Sequence, residues 1–208
     1  VALRAGAWAQ SLPEAQFGLA SLGFRWNVSG TYMQVVPRVI STAADGVSDP
    51  REFLSDVFRS PAEAHSALFL KGYQWPFDAC KAEAGSSRVD LLVQEERAAK
   101  GRRVFLDFRR NPAGFSLAAL SEEARTYLER SGARQATPIA RLRHMNPAAV
   151  ALYREQGIDL ARVPLEIAVC AQHNNGGLAA NRWWESLNIK HLFPVGEVNG
   201  SHGVGRPG

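Results

Sequence analysis

Cysteine is almost missing from this chain. Cys80 and Cys170 are the only two, too few for a disulfide framework or a zinc cluster. With so little thiol chemistry, a reducing cytoplasm is the default compartment. Lysine is scarce as well: Lys71, Lys81, Lys100 and Lys190 are the whole set, so arginine supplies most of the 24 positive side chains that face 20 Asp and Glu. Long apolar runs are lacking too. Nothing approaches the ~20 residues of a membrane span, and VALRAGAWAQSLPEAQ has no signal-peptide run and does not begin with Met. Repeats and low-complexity tracts are absent. What is there is 208 residues, 46% hydrophobic and 21% charged, which is the balance of a soluble globular chain of one or two domains.

The formal charge is +4, but the arginines are scattered, and the tightest cluster, Gly101-Arg102-Arg103, runs straight into an apolar segment. A nucleic-acid binder concentrates its charge on one face. Guanidinium forks pair bidentately with carboxylates and phosphates, so small anions are the favoured ligands and nucleic acid is not expected.

Along the chain, LRAGAWA and AQFGLASLGF read as short strands, and Met33–Ile40 is β-branched and strand-like with a break at Pro37. Asp45-Gly46 and Asp49-Pro50 mark turns. Helices are predicted at about 50–58 and 61–71, each opened by a proline. KGYQWPFDACKAEAGSS reads as an ordered aromatic loop, and Ser86 or Ser87 then caps a helix carrying Val89, Leu92 and Val93 on one face. VFLDFR is a strand with Val104, Leu106 and Phe108 on one side; helices follow at about 117–130 and from Asn146-Pro147 to Gly157. LEIAVCAQ is a further strand, followed by the polar turn QHNNGG, and HLFPV is an apolar strand leading into glycines. Both the start and the end are abrupt, so the chain reads as a segment of a longer polypeptide.

Several residues bear chemistry, each with a plain structural alternative. His173 follows a strand and precedes Gly176-Gly177, where a ligand can approach the backbone closely. The plain reading is a turn histidine bonded to backbone. His202 and Arg206 lie four apart in a second glycine loop and, with His173, make a plausible carboxylate site. Glu197 is a surface carboxylate or, at a strand end, an acceptor for ribose hydroxyls. Gly203 to Gly208 spells GxGxxG, but no following helix and distant acidic residue accompany it, so by itself the match is accidental. The sequons at Asn27 and Asn199 read as chance. Trp183-Trp184 and Tyr73-Gln74-Trp75 suit core or interface packing better than base stacking. No His/Cys spacing points to a metal.

LFPVGEVNGSHGVGRPG resembles the C-terminal flavin-domain motif of the succinate dehydrogenase/fumarate reductase flavoproteins: a strand, a Gly-Glu pair and a loop of the form H-G-x-x-R-x-G. AQHNNGG resembles that family's H-x-x-G-G motif, AGA…AQFG the stretch before its capping domain, and GRRVFLDFR a capping-domain strand. The resemblance implies an α+β (mixed α/β) fold: a capping domain at 25–160, inserted between flanks 1–24 and 161–208 of an FAD-binding Rossmann-like domain. It further implies that His173 and Arg206 hold a substrate carboxylate and that Arg206 stabilises charge during hydride transfer. His202 would accompany them, Glu197 would bond the FAD ribose, and Gly196, Gly203 and Gly205 would keep the backbone close to the cofactor. The family's Q-F-H-P-T-G reads Gln16-Phe17-Gly18-Leu19-Ala20-Ser21 here, without the histidine. Its R-D motif has no counterpart, leaving Arg51, Arg59 and Arg88 as candidates for the proton-shuttling arginine.

Two functions are therefore open. One is a fragment of an FAD-dependent oxidoreductase acting on a small carboxylate, completed by the remaining flavin-domain segments and possible as an oligomer, with FAD expected in the intact protein rather than on this chain alone. The alternative is a non-catalytic module, or degenerate flavoprotein relative, that binds an anionic ligand or a protein partner without cofactor.

Overall fold

The structure, a computed structural model, describes residues 1–83 and 85–200. Seven strands are present in the described residues: β1 (Ala9–Gln10), β2 (Ala15–Ser21), β3 (Arg38–Thr42), β4 (Arg51–Glu52), β5 (Arg103–Asp107), β6 (Leu165–Asn174) and β7 (Gly177–Leu178). Six α-helices accompany them: α1 (Thr31–Gln34), α2 (Pro61–Leu70), α3 (Ser87–Gln94), α4 (Glu122–Arg130), α5 (Pro138–Met145) and α6 (Pro147–Glu155). The fold is mixed α+β, as the sequence implies. It divides into two compact units. One is Gly18–Cys170; the other joins Val1–Phe17 to Ala171–Gly208, described as far as residue 200.

The larger unit is organised by a sheet of order β2-β6-β5-β3-β4, in which β4, β3, β5 and β6 are successively antiparallel. The register sets Val39 opposite Leu106, Ser41 opposite Val104, and Leu106 and Val104 opposite Leu165 and Ile167, so that one face is buried. The other face is laddered with charge. Arg38 sits opposite Asp107, and Arg103 pairs with Glu166 at 2.5 Å while its guanidinium lies over the Phe105 ring. Cross-strand pairs of this kind hold register because a one-residue slip would part charges that are largely buried, Asp107 completely so.

The helices begin where the side chains can satisfy their free amides. Ser60 accepts from Glu63 at the start of α2, Thr137 from Ala140 at α5 and Asn146 from Ala149 at α6. The helix expected at 50–58 is not formed: Arg51 and Glu52 pair with β3, because Glu52 is held by Arg38 at 2.5 Å and Arg51 by Glu96 at 2.9 Å. The strand expected over 33–40 is likewise split. Its first half turns into α1, Val36 adopts a left-handed φ of 50°, and only Arg38 onward pairs with β5. Tertiary bonds override β-propensity there: the Tyr32 hydroxyl donates to the Ala149 carbonyl, and Arg141 donates twice to the Val35 carbonyl at 3.1 and 2.8 Å.

Two sites of buried charge stand out in this core. Arg141, 1% exposed, has no carboxylate beside it among the described residues; its fork is met by Val35, Gln135 and Asn111 oxygens, and it stacks over the Phe115 ring at 4.7 Å. Burial lowers its pKa to about 10. Lys71 and Asp90, each 1% exposed, face one another at 2.5 Å between the end of α2 and α3. Burial pushes the Asp90 carboxyl up to about 6 even against the pull of Lys71.

Candidate functional site

The smaller unit carries the described members of the expected site. Its frame is the antiparallel pairing of β1 with β7, Ala9 opposite Leu178 and Gln10 opposite Gly177. Side-chain amides tie its segments together. Asn188 accepts from the Trp8 amide and donates to the Gly6 carbonyl, and Asn174 donates to the Leu12 carbonyl. His173 lies half-buried within β6 rather than in a turn after it, because the strand continues to Asn174 and the Asn175 amide donates to the Glu14 carbonyl.

Glu197 sits exposed on a single 3₁₀ turn, Gly196–Val198. Gly196 opens that turn at a φ of 69°, a conformation that favours glycine. HLFPV forms no strand before it. Phe193 and Val195 stay exposed, since a strand needs a hydrogen-bonded neighbour and the pairing in this region is an isolated bridge between Leu178 and Asn199. His202, Gly203, Gly205 and Arg206 lie outside the described residues.

The double glycine has a different cause from the one its sequence implies. A Cβ on Gly176 would meet the Ser11 carbonyl oxygen at 2.2 Å, and one on Gly177 would meet the Val198 oxygen at 2.3 Å. The close approach is made by the chain's own backbone, so no ligand need be invoked for these two glycines. Beside them an open, mainly apolar hollow of about 530 Å³ is lined by Leu3, Arg4, Leu12, Leu178 and Val198 among others. Glu197 precedes Val198 in the chain but is not among the residues that line the hollow.

Gln16, on β2 in the same unit, is the residue that sequence reading undervalued. It is 6% exposed, and neither its Oε1 nor its Nε2 has a hydrogen-bond partner among the described residues. Unpaired buried amides are rare and costly. In the sequence it is the first residue of the stretch that aligns with Q-F-H-P-T-G, but nothing in that alignment shows that its amide is buried.

In the larger unit, the three arginines considered for proton transfer are differently placed. Arg51 is clasped by Glu96, which also accepts from Ser41 and Lys100. Arg88 donates to the Glu83 carbonyl and lies over the Phe58 ring, while Arg59 is exposed. Position 18 is closed. A Cβ there would fall 2.0 Å from Trp75 Nε1, so the place of the missing motif histidine is filled by an indole. Among the described residues no group of three or more His, Cys, Asp or Glu side chains is placed to hold a metal, and no helix is long and apolar enough to cross a membrane.

Over 57 residues, 27% of its length, the chain is 39% identical to a polypeptide of the fumarate reductase (CoM/CoB) of Methanothermobacter marburgensis. It is similar to part of a fumarate reductase. The matched stretch spans 10% of that relative. No protein-family model matches the chain. A solved quinol-fumarate reductase aligns with 91% of this chain and 29% of its own, at 15% identity and a TM-score of 0.43.

FAD, which the resemblance implies, can be weighed against the smaller unit's described residues. They offer a mainly apolar hollow that suits a ring system and, one residue along the chain from its lining Val198, the exposed carboxylate of Glu197. That donor set fits part of the group.

Proposed function

We propose that this chain is a segment of an FAD-dependent oxidoreductase resembling the succinate dehydrogenase/fumarate reductase flavoproteins, and that the intact protein acts on a small organic acid in the cytoplasm. One observation carries the reading. The two ends of the chain knit into one compact unit while Gly18–Cys170 forms another, the arrangement of a domain inserted into a flanking one. When bound, FAD supplies the hydride donor or acceptor. The chain's residues do the rest: Glu197 accepts from ribose hydroxyls, and Gly196, Gly203 and Gly205 keep the backbone near the cofactor. His173, His202 and Arg206 orient the substrate carboxylate, and Arg206 stabilises the charge that develops on it. The remaining flavin-domain segments cover the exposed Leu3, Leu12, Phe193 and Val195 of the smaller unit.

A second reading is favoured by Trp75. Its indole occupies the space of the family's motif histidine, which suits a relative that has given up dicarboxylate chemistry and binds an anion or a partner without cofactor. Purification of the full reading frame containing this chain separates the two. Retained flavin, reoxidised from its reduced form by an unsaturated carboxylic acid such as fumarate, supports the first. Protein that takes up no FAD sinks it and leaves the second.

A further inference from the structure

The net charge of the chain sits in one stretch. The 25 residues from Arg130 to Arg154 hold five arginines, His144 and no Asp or Glu, so this stretch carries +5 against the +4 of the whole chain. Around the sheet, by contrast, positive charge is matched: Arg38, Arg51, Arg97, Arg102 and Arg103 each meet a carboxylate at 2.5–2.9 Å. Arg130 stands in the last turn of α4, and Arg143 and His144 in that of α5. The two helix ends meet, because His144 Nε2 lies 2.9 Å from the carbonyl oxygen of Ser131, the residue that caps α4. In the same bend the Arg134 amide donates to the Gly132 carbonyl. All four residues are exposed, and no carboxylate pairs with any of the three arginines among the described residues.

Cations in a last turn complement the helix dipole, which explains Arg130, Arg143 and His144. It does not explain Arg134, which lies outside both helices, or the lack of counter-charge where like charges gather and repel. Beside this corner, Glu122, Glu123, Thr126, Tyr127, Arg130 and Ser131 line an open hollow of about 730 Å³, in which Tyr127 is left exposed. Tyr and Arg are the side chains that protein interfaces concentrate. So open a hollow does not enclose a small molecule, and the Glu122 and Glu123 carboxylates at its other end oppose a phosphate backbone. We infer that this corner of the larger unit is a docking surface for an acidic protein, whose carboxylates Arg130, Arg134 and Arg143 take up in forked pairs beside Tyr127. The assignment stands apart from the flavoprotein reading, none of whose residues belongs to it.

The test is the binding of a short fluorescent poly-L-glutamate peptide to the full reading frame, followed by anisotropy at low and at physiological salt. The wild type must bind it, and more tightly at low salt. Arg130→Gln combined with Arg134→Gln and Arg143→Gln must weaken binding by about tenfold, as for three lost exposed ion pairs. Lys81→Gln combined with Arg110→Gln and Arg162→Gln removes as much charge, but from cations that already face carboxylates, and must leave binding nearly unchanged. Equal losses in the two triple variants overturn the inference, because net charge alone would then govern binding. A wild type that ignores the peptide, or that prefers a DNA duplex of equal charge, overturns it too. Arg134→Glu alone lies outside the helices and must also weaken binding; it decides the matter if the first triple variant does not fold, and an unchanged affinity there counts against the surface.

Discussion

Adding a single methyl group at position 18 tests whether space, rather than chain flexibility, keeps a glycine where the resembling family has histidine. Gly18 is not among the residues with a left-handed φ, so alanine suits its backbone. Its Cβ would nonetheless fall 2.0, 2.7 and 2.9 Å from three indole atoms of Trp75. The ring would have to retreat by about 1.5 Å to reach ordinary van der Waals contact. Overpacking of this kind costs about 1–3 kcal/mol. For a unit of this size that lowers the midpoint by roughly 2–12 °C, at about 2–4 °C per kcal/mol. The assay is a double-mutant cycle followed by thermal unfolding: wild type, Gly18→Ala, Trp75→Ala and the pair. In the Trp75→Ala background the methyl has room, so Gly18→Ala should cost nothing or stabilise by up to about 1 kcal/mol, since alanine loses less entropy than glycine on ordering. Equal cost in both backgrounds would refute the packing argument. Gly18→His, which introduces the family residue, should destabilise more than Gly18→Ala.

The buried Lys71–Asp90 pair makes a second prediction. Replacing both with apolar residues (Lys71→Met with Asp90→Leu) should be neutral or stabilising by about 1–4 kcal/mol, whereas Lys71→Met alone should destabilise at neutral pH by leaving a lone buried carboxylate. Asp90 titrates near 6 when folded, above its unfolded 3.8, so its contribution is present below about pH 4 and lost as pH rises through 6. The double variant's advantage should therefore be larger at pH 7.5 than at pH 4.5 in urea titrations; a flat or opposite trend counts against it. Arg141→Lys should cost about 3–5 kcal/mol, because an ammonium cannot satisfy Val35, Gln135 and Asn111 together, and a loss below 1 kcal/mol in the same assay would show that the fork is dispensable. In the intact protein, Arg206→Lys should reduce turnover far more than Arg88→Lys, and equal, mild losses would remove Arg206 from the site.

Local signals located the elements whose ends are written in adjacent residues. Ser60-Pro61 opens α2, Asn146-Pro147 opens α6, and the alternation of Val104 and Leu106, continued by Phe108 just past its end, marks β5, all three side chains fully buried. Thr137-Pro138 marks α5 just as well, but Arg141 on its buried face breaks the apolar period that would have drawn notice. Where two distant segments compete for one stretch, the local pattern fails. Arg51 and Glu52 become a strand because Glu96 and Arg38 reach them, and Val35-Val36 leave the strand because Arg141 claims the Val35 carbonyl.

The same division runs through the site. The order of motifs along the chain, and with it the likeness to fumarate reductases, follows from the sequence, because residue identity and spacing are all that such motifs require. Tertiary structure alone decided that Gly176 and Gly177 serve the chain's own crossing backbones, that Trp75 fills the place of the missing histidine, and that Gln16 is buried without a partner among the described residues. Each depends on which atoms meet across tens of residues, and steric exclusion and unpaired polarity exist only once those atoms are brought together.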